Sequence, residues 1–300
     1  MKKKNSTLKK ILLVLLVLFL ILLIYAGASI YLSANALTIS TFHYDSEKIS
    51  HEIKITALTD VHSHIFGKAN ERLVKKLEKE KPDIILVVGD GLNWYDESHD
   101  GLTAFIQQML RIAPVYFTVG NHEVTHMDNF KDYQLLNDLQ AVGAVIVDKN
   151  YVDITINEES VRIGGLYGSA YNTKNVSTQD YISSDIYQFL SDFENTNDFK
   201  LMLSHQPQTF IPNDAEEPKW DIDLVVCGHE HGGQVRLPFI GAIYDPHEYM
   251  GWFPEYVDGT HLINGIPVII SRGLGTYTKG ASFVPPRFDN IPEIVNIQIN

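Results

Sequence analysis

From residue 52 to the C-terminus, short apolar runs alternate with longer amphipathic stretches. The short runs are rich in Val and Ile, which is typical of buried strands. They predict strands at Ile53–Leu58, Asp83–Val88, Val115–Val119, Val145–Val147, Val152–Ile156, Val161–Gly165, Lys200–Leu203, Leu224–Cys227, Val268–Ser271 and Ile294–Ile299. The amphipathic stretches predict helices at Asn70–Glu80, Leu102–Ile112, Phe130–Ala141 and Asp180–Phe193. Strand–helix alternation followed by hairpins indicates one layered α/β domain over residues 52–300.

The N-terminus has a different pattern. Residues 1–10 form a basic head, and residues 11–32 are almost entirely apolar and carry no charge. About twenty apolar residues suffice to cross a bilayer as a helix. Residues 11–32 are therefore predicted to be a transmembrane anchor of the cell membrane, with the lysines in the cytoplasm and the remaining chain on the extracytoplasmic side. Residues 33–51 are predicted to be a polar connector.

A cleaved signal peptide is the alternative for this segment. The small residues Ala34-Asn35-Ala36 would then form the cleavage site. The apolar run is longer than the apolar region of a usual signal peptide, which favours an uncleaved signal-anchor.

The net charge and the cysteine count argue against some classes of protein. The formal net charge is −13, and subtracting the five lysines near the N-terminus leaves −18 for the remainder. An acidic domain is a poor non-specific binder of nucleic acid, so no nucleic-acid partner is expected. The single cysteine, Cys227, excludes an intrachain disulfide and is expected to be a small buried apolar residue.

Side chains that bind metals follow five of the predicted strands. They are Asp60 and His62, Asp90, Asn121 and His122, His205, and His229 and His231. In open α/β sheets, sites form at the carboxyl ends of the strands. Carboxylate, amide and imidazole groups together suit manganese, iron or zinc.

Each of these residues alone has a structural interpretation. Asp90 could cap a helix, Asn121 could hold a turn, and His205 could be a core residue. Their joint recurrence at strand ends is what favours a metal site. Without His122 the set offers seven oxygen and nitrogen ligands, which fit two metals about 3.5–4 Å apart bridged by a shared carboxylate.

The motifs D-x-H, G-D, G-N-H-E, S-H-x-P and G-H-x-H occur here in this order. From about Ile53 to the C-terminus, the chain resembles the calcineurin-like metallophosphoesterase superfamily. Its tail, with G-H-E-H-G-G-Q-V-R and the later Ser271–Gly275, is similar to a membrane-associated branch that includes UDP-2,3-diacylglucosamine pyrophosphatases.

This resemblance implies a two-sheet sandwich flanked by helices, and a role for each residue of the motifs. Asp60, His62 and His231 would bind the first of two divalent metals (Mn, Zn or Fe), Asn121, His205 and His229 would bind the second, and Asp90 would bridge them. The catalytic His122 would contact the phosphate and assist the leaving group, with Glu123 as its orienting partner.

The expected function is a membrane-anchored phosphohydrolase that uses a metal-bridging hydroxide. Its expected substrate is a phosphorylated lipid or cell-envelope molecule carrying a phosphoester or pyrophosphate bond. Soluble nucleotides or sugar phosphates are the alternative substrates. A non-catalytic metal-binding module of the same fold and a binuclear amidase or lactonase are the rival classes. The sequence leaves the oligomeric state unknown.

Several other residues have open interpretations. His64 either reaches the mouth of the site or is a solvated loop histidine, and Arg272 and Arg287 either clamp a phosphate or bind loop carbonyls. Trp94, Tyr95 and the aromatic stretch Tyr244–Tyr256 either contact an apolar substrate or pack in the core. None of the remaining histidines has a ligand spacing; they are His43, His51, His99, His126, His247 and His261.

Overall fold

The computed structural model describes residues 2–171, 178–212, 219–246, 251–276 and 284–300. His247 and the middle of the stretch Tyr244–Tyr256 lie outside these residues. The helices are α1 Lys2–Asn35, α2 Glu71–Glu80, α3 Asp100–Met109, α4 Asn121–Phe130, α5 Leu135–Ala141, α6 Thr178–Ile182 and α7 Asp185–Glu194. The strands are β1 Thr38–Tyr44, β2 Ile53–Leu58, β3 Ile84–Val88, β4 Val115–Thr118, β5 Val145–Ile146, β6 Asn150–Ile156, β7 Glu159–Gly165, β8 Phe199–Leu203, β9 Leu224–Cys227, β10 Val235–Leu237, β11 Gly241–Asp245, β12 Gly251–Trp252, β13 Gly259–Ile263, β14 Ile266–Ile270 and β15 Glu293–Ile299.

Two six-stranded mixed sheets form the centre of the domain. The first has the order β1-β15-β2-β3-β4-β5, and the second has the order β13-β14-β9-β8-β7-β6. Strands β2, β3 and β4 run parallel, as do β7, β8 and β9. Each sheet therefore brings several strand carboxyl ends to one edge, where polar side chains can meet.

The sheets pack face to face, and helices cover their outer faces. Strand β3 shows this layering: Leu86 and Val88 belong to the core between the sheets, and Ile85 and Val87 belong to the core under α2, α3 and α5. Helix α7 packs against the outer face of the second sheet. Strands β3 and β9 are buried on both faces and have continuous apolar sequences, as is typical of such strands. The expected sandwich of two sheets flanked by helices is confirmed.

Three local expectations were wrong, and one small sheet was not expected. The stretch taken as a polar connector contains β1, an edge strand parallel to β15. Within the helix expected at Phe130–Ala141, only α5 is helical apart from Phe130. Phe130 is the last residue of α4, a helix that was not expected and that ends before Lys131 at a φ of 56°. The helix expected at Asp180–Phe193 breaks before Ser184, whose hydroxyl accepts the N–H of Tyr187 at 3.2 Å. The small sheet β10-β11-β12 was not expected.

The C-terminal end of α1 is fixed to the domain by hydrogen bonds. The hydroxyls of Ser29 and Ser33 accept the backbone N–H groups of Asp289 and Asn290 at 2.7 and 3.0 Å. Both serines are buried. The apolar residues from Leu8 to Ile24 are exposed on every side of the helix. Only the last turns of α1 therefore pack on the domain.

Candidate metal centre

The eight site residues expected from the sequence come together at one edge of the sandwich. The first sheet contributes the residues after β2, β3 and β4, and the second contributes those after β8 and β9. Seven of the eight side chains are buried, and Asn121 is half-buried. The structure thus joins residues that lie as far as 171 positions apart in the sequence.

The backbone is left-handed at five of these positions. The φ angles are 50° at Asp60, 47° at His62, 53° at Asp90, 74° at His229 and 47° at His231. Left-handed backbone costs roughly 1–2 kcal/mol for a residue with a Cβ. Strain of this kind is characteristic of functional sites, where surrounding contacts hold it in place.

Asp60, His62 and His231 form the first group, with one ligand atom of each within 4.8 Å of the others. The Nε2 atoms of His62 and His231 are 3.2 Å apart. His231 Nδ1 lies 3.2 Å from the carbonyl of Gly275, which places its proton on Nδ1 and a lone pair on Nε2. This group fits a divalent metal.

Asp90, His205 and His229 form the second group under the same distance limit. His205 Nδ1 faces the carbonyl of Val88 at 2.9 Å, so its Nε2 lone pair faces Asp90 Oδ2 at 3.0 Å. Two lone pairs at this distance repel unless a proton or a metal lies between them. Asn121 Oδ1 is buried with no hydrogen-bond donor among the described residues, as suits a further metal ligand.

Asp90 lies between the two groups. Its Oδ2 atom is 3.0 Å from His205 Nε2, 3.8 Å from His62 Nε2 and 3.9 Å from His122 Nε2. Its Oδ1 atom accepts the backbone N–H of His122 at 2.8 Å. This is the position that a bridging carboxylate requires.

Burial and the neighbouring imidazoles together determine how the buried carboxyl groups ionise. Burial by itself would raise the pKa of Asp90, but the His205 and His122 side chains outweigh it and hold that pKa well below its usual value. Burial raises the pKa of Asp60 to about 6, although His205 opposes this shift. Burial opposes protonation of His205, yet the nearby Asp90 carboxylate raises its pKa to about 10. The field at the centre thus favours a cation.

His122 has the opposite proton arrangement from His205 and His231. The backbone N–H of Trp94 donates to His122 Nδ1 at 3.1 Å, so in the neutral ring the proton is on Nε2. That N–H faces the cluster, 3.9 Å from Asp90 Oδ2. An imidazole that presents an N–H cannot bind a metal through the same nitrogen, but it can donate to a phosphate oxygen.

Glu123 does not orient the His122 ring, contrary to the expectation from the resemblance. Its carboxylate accepts the backbone N–H groups of Asp90, Gly91 and Gly120 at 2.8, 2.8 and 2.7 Å. Burial raises the pKa of Glu123 to about 7, an effect that Asp90 reinforces and these N–H groups oppose. Glu123 therefore holds the backbone turns that carry Asp90 and Asn121.

We expect Glu123→Gln to destabilise the fold by about 3 kcal/mol. The amide keeps one acceptor and turns an NH₂ donor toward buried backbone donors, which leaves them unsatisfied. Denaturant unfolding of the two proteins measures the change. Glu97→Gln, in an exposed loop, is the control and should leave the midpoint unchanged. Equal midpoints for Glu123→Gln and the wild type would contradict this role.

Three open interpretations are resolved by contacts. Buried Arg287 donates to the carbonyls of Asn290, Gly275 and Arg272 at 3.0, 2.9 and 2.7 Å, so it has a structural role. Arg272 pairs with Glu293 at 3.1 Å. His64 is half-buried rather than solvated, and it hydrogen-bonds the backbone of Ala34 at the end of α1. Cys227 is buried, as expected.

A separate histidine–aspartate cluster was missed by the sequence analysis. His99, His126 and Asp132 place ligand atoms within 4.8 Å of one another. Asp132 Oδ2 hydrogen-bonds both imidazoles, through His99 Nδ1 and through His126 Nε2, the latter at 3.0 Å. The other nitrogen of His99, Nε2, lies 3.0 Å from Asp138 Oδ2. These bonds link the start of α3 to α4 and α5. The three residues follow no common strand end, so the sequence carried no signal for them.

We expect the stabilisation from His99 to be lost in alkali. Burial opposes its protonation, but Asp132 and Asp138 raise its pKa above the usual 6.5. The contribution is therefore complete below pH 6.5 and disappears as the pH rises through the raised pKa. Solvent screens the ion pairs of His99, so their effect is small. The free energy of unfolding of the wild type should exceed that of His99→Gln by roughly 0.5–1 kcal/mol at pH 6 and by less at pH 9. Urea unfolding of both proteins at the two pH values measures the difference. A difference in the free energy of unfolding that increases with pH would contradict this prediction.

The comparisons with known proteins agree with this geometry. The family description "Calcineurin-like phosphoesterase" matches residues 53–233. The chain belongs to this family. Its cofactor is a pair of divalent metal ions, for which the clustered His and Asp side chains supply ligands.

Three curated relatives show the range of similarity. An uncharacterized metallophosphoesterase of Campylobacter jejuni is 25% identical over 80% of this chain, and the match spans only 59% of that relative's length. Phosphodiesterase YaeI of Escherichia coli is 26% identical over 82% of this chain and 91% of its own. An uncharacterized metallophosphoesterase of Aquifex aeolicus is 26% identical over 91% of this chain and 95% of its own.

Helix α1 is the described segment with the length and composition to cross a membrane. Within Thr7–Asn35, an 18-residue window has a mean hydropathy of 3.2, and none of this window is buried inside the protein. At about 1.5 Å per residue, 29 residues exceed the thickness of a bilayer's hydrocarbon core.

Proposed function

We propose that this protein is a membrane-anchored, metal-dependent phosphodiesterase that hydrolyses a phosphoester or pyrophosphate bond. The position of Asp90 between two groups of imidazoles carries the proposal, because a shared carboxylate is the defining part of a two-metal hydrolytic site. The diesterase class follows the similarity to YaeI, whose name describes a phosphodiesterase.

Roles are assigned to the residues as follows. Asp60, His62 and His231 would hold one metal, Asn121, His205 and His229 would hold the other, and Asp90 would be shared between them. When bound, two such ions neutralise phosphate charge and supply a hydroxide near neutral pH. His122 donates its Nε2 proton toward the phosphate or the leaving oxygen. Glu123 holds the backbone at Asp90 and the N-terminus of α4 in position through hydrogen bonds.

The anchor favours a substrate held at the membrane. Ser33 of α1 binds Asn290, and the Asn290 side chain donates to the carbonyl of the proposed ligand His231 at 2.6 Å. A single residue, Asn290, therefore connects the end of the apolar helix to a proposed metal ligand by hydrogen bonds. A lipid-linked or cell-envelope molecule with a phosphoester or pyrophosphate bond fits this placement. The domain then faces the extracytoplasmic side.

The test uses the full chain in detergent micelles, stripped of metal and then titrated with manganese, zinc, iron or magnesium. We expect two equivalents to bind and hydrolysis of bis-p-nitrophenyl phosphate to exceed that of p-nitrophenyl phosphate. A phospholipid diester in mixed micelles and a soluble nucleotide sugar pyrophosphate are then compared as substrates. Metal binding without hydrolysis of any ester would instead support a non-catalytic metal-binding module.

A further inference from the structure

The small sheet β10-β11-β12 exposes an unusual amount of apolar surface. Beyond α1, the described residues include nine exposed large apolar side chains, and four of them lie in or next to this sheet. These four are called the apolar patch: Phe239, Ile240, Trp252 and Phe253, with relative exposures of 109%, 63%, 70% and 68%. Such clustering marks an interaction surface rather than ordinary scatter.

Two members of the apolar patch, Phe239 and Ile240 in the β10–β11 turn, face the anchor helix. A cavity of about 500 Å³ separates the β10–β11 turn from α1, and Phe239 and Ile240 on one side face Tyr25, Ser29 and Leu32 on the other. The Tyr25 ring also packs edge-on against Phe288 at 5.8 Å. No other element among the described residues fills this space.

The depth of the β10–β11 turn relative to a bilayer follows from the α1 residues that it faces. Tyr25, Ser29 and Leu32, which line the cavity, lie in the last turns of residues 11–32, the segment predicted to span the membrane. The serine hydrogen bonds fix these turns to the domain. When α1 crosses the bilayer, the β10–β11 turn is therefore held beside it at the boundary between lipid and water.

The same turn leads directly to the metal centre. Strand β10 begins at Val235, four residues after His231. Arg236 donates to the carbonyl of Gly232 at 2.6 Å and pairs with Asp258 at 2.9 Å, so its charge is neutralised. Phe239 is eight residues from His231, so the two lie at most about 29 Å apart even if the chain between them is fully extended.

We propose that the apolar patch rests in the interface of the lipid bilayer and holds the metal centre at the lipid surface. Aromatic and large aliphatic side chains beside a membrane-spanning helix prefer this zone. A substrate could then present its phosphate to the site while its hydrocarbon remains in the bilayer. This inference rests on the anchoring part of the proposed function.

The first test measures lipid contact without requiring activity. The full chain is reconstituted in phosphatidylcholine vesicles with nitroxide-labelled acyl chains. A bimane label is placed in turn on Phe239→Cys, Leu18→Cys and Tyr133→Cys. Cys227 remains, because it is buried and burial raises the pKa of its thiol, which slows its labelling. Tyr133 is exposed next to α5, which packs at the β5 edge of the first sheet, opposite β1.

We expect lipid to quench the labels at positions 239 and 18 but not the label at 133. Quenching at 18 without quenching at 239 would overturn the inference and leave the anchor intact. Absence of quenching at 18 would overturn both the anchor and the inference.

The second test separates this surface from the chemistry. Phe239→Asp combined with Ile240→Asp should lower hydrolysis of a phospholipid diester in the same vesicles roughly tenfold, because the charges withdraw the turn from the interface. Hydrolysis of soluble bis-p-nitrophenyl phosphate should not change. Tyr133→Asp is the control for an added surface charge. Equal activity of the double variant and the wild type on the vesicle substrate would refute the inference.

Discussion

Asp90→Asn is expected to abolish turnover while the protein stays folded. Asp90 Oδ2 is the atom nearest to imidazoles of both metal groups, and an amide removes the negative charge that two cations would share. Loss of several kcal/mol of transition-state stabilisation corresponds to a fall in kcat/KM of about a thousandfold or more. Turnover of bis-p-nitrophenyl phosphate with saturating metal measures the loss, and metal analysis should show fewer than two equivalents.

Asp128→Asn is the matched control for this substitution. Asp128 lies on the exposed face of α4, so the same chemical change occurs away from the cluster. It should leave kcat/KM and metal content unchanged. An Asp90→Asn protein that kept near-normal turnover would show that the hydrolytic centre lies elsewhere.

His122→Ala should separate chemistry from metal binding. Because Trp94 donates to Nδ1, His122 presents an N–H rather than a lone pair to the cluster, and its loss should remove no metal ligand. General acid catalysis contributes about 10²–10⁴-fold, so kcat should fall within that range while two metals remain bound. Turnover and metal content are measured on the same preparation.

The leaving group provides a sharper test of the same residue. An ester with a good leaving group, such as p-nitrophenolate, needs little protonation and should lose less activity than an alkyl ester of the same acid. His231→Ala is the informative comparison, because its loss should lower metal content as well as kcat. If His122→Ala released a metal, His122 would be a ligand and the assignment of its proton would be wrong.

The sequence predicted the site better than it predicted the boundaries of the elements. Asp60, Asp90 and His205 each follow a short apolar run that is buried on both faces, and such runs can be recognised without tertiary information. The sequence signal failed for β1, whose alternating polar residues suit an edge strand as well as a connector. It also failed for α4, since the start of that helix carries Asn121, His122 and Glu123, which face the site rather than an apolar core.

Other features depend on tertiary contacts between distant parts of the chain. Glu123 could be read as a partner of its neighbour His122, but folding places it against the backbone of Asp90 and Gly91. The cluster of His99, His126 and Asp132 forms because three helical segments converge. The spacing of these residues in the sequence carries no information about such tertiary contacts.

The succession of strands and helices along the chain, the candidate ligand residues and the apolar N-terminal segment can be recognised from local sequence, because hydrophobic periodicity and side-chain chemistry act within a few residues. The tertiary structure alone decided which imidazole nitrogens carry protons, since Val88, Gly275 and Trp94 are brought to the rings by folding. It also decided that the end of α1 faces the β10–β11 turn across a cavity and is connected through Asn290 to the backbone of His231. The physical reason is that hydrogen bonds and packing between residues far apart in the chain depend on the whole fold.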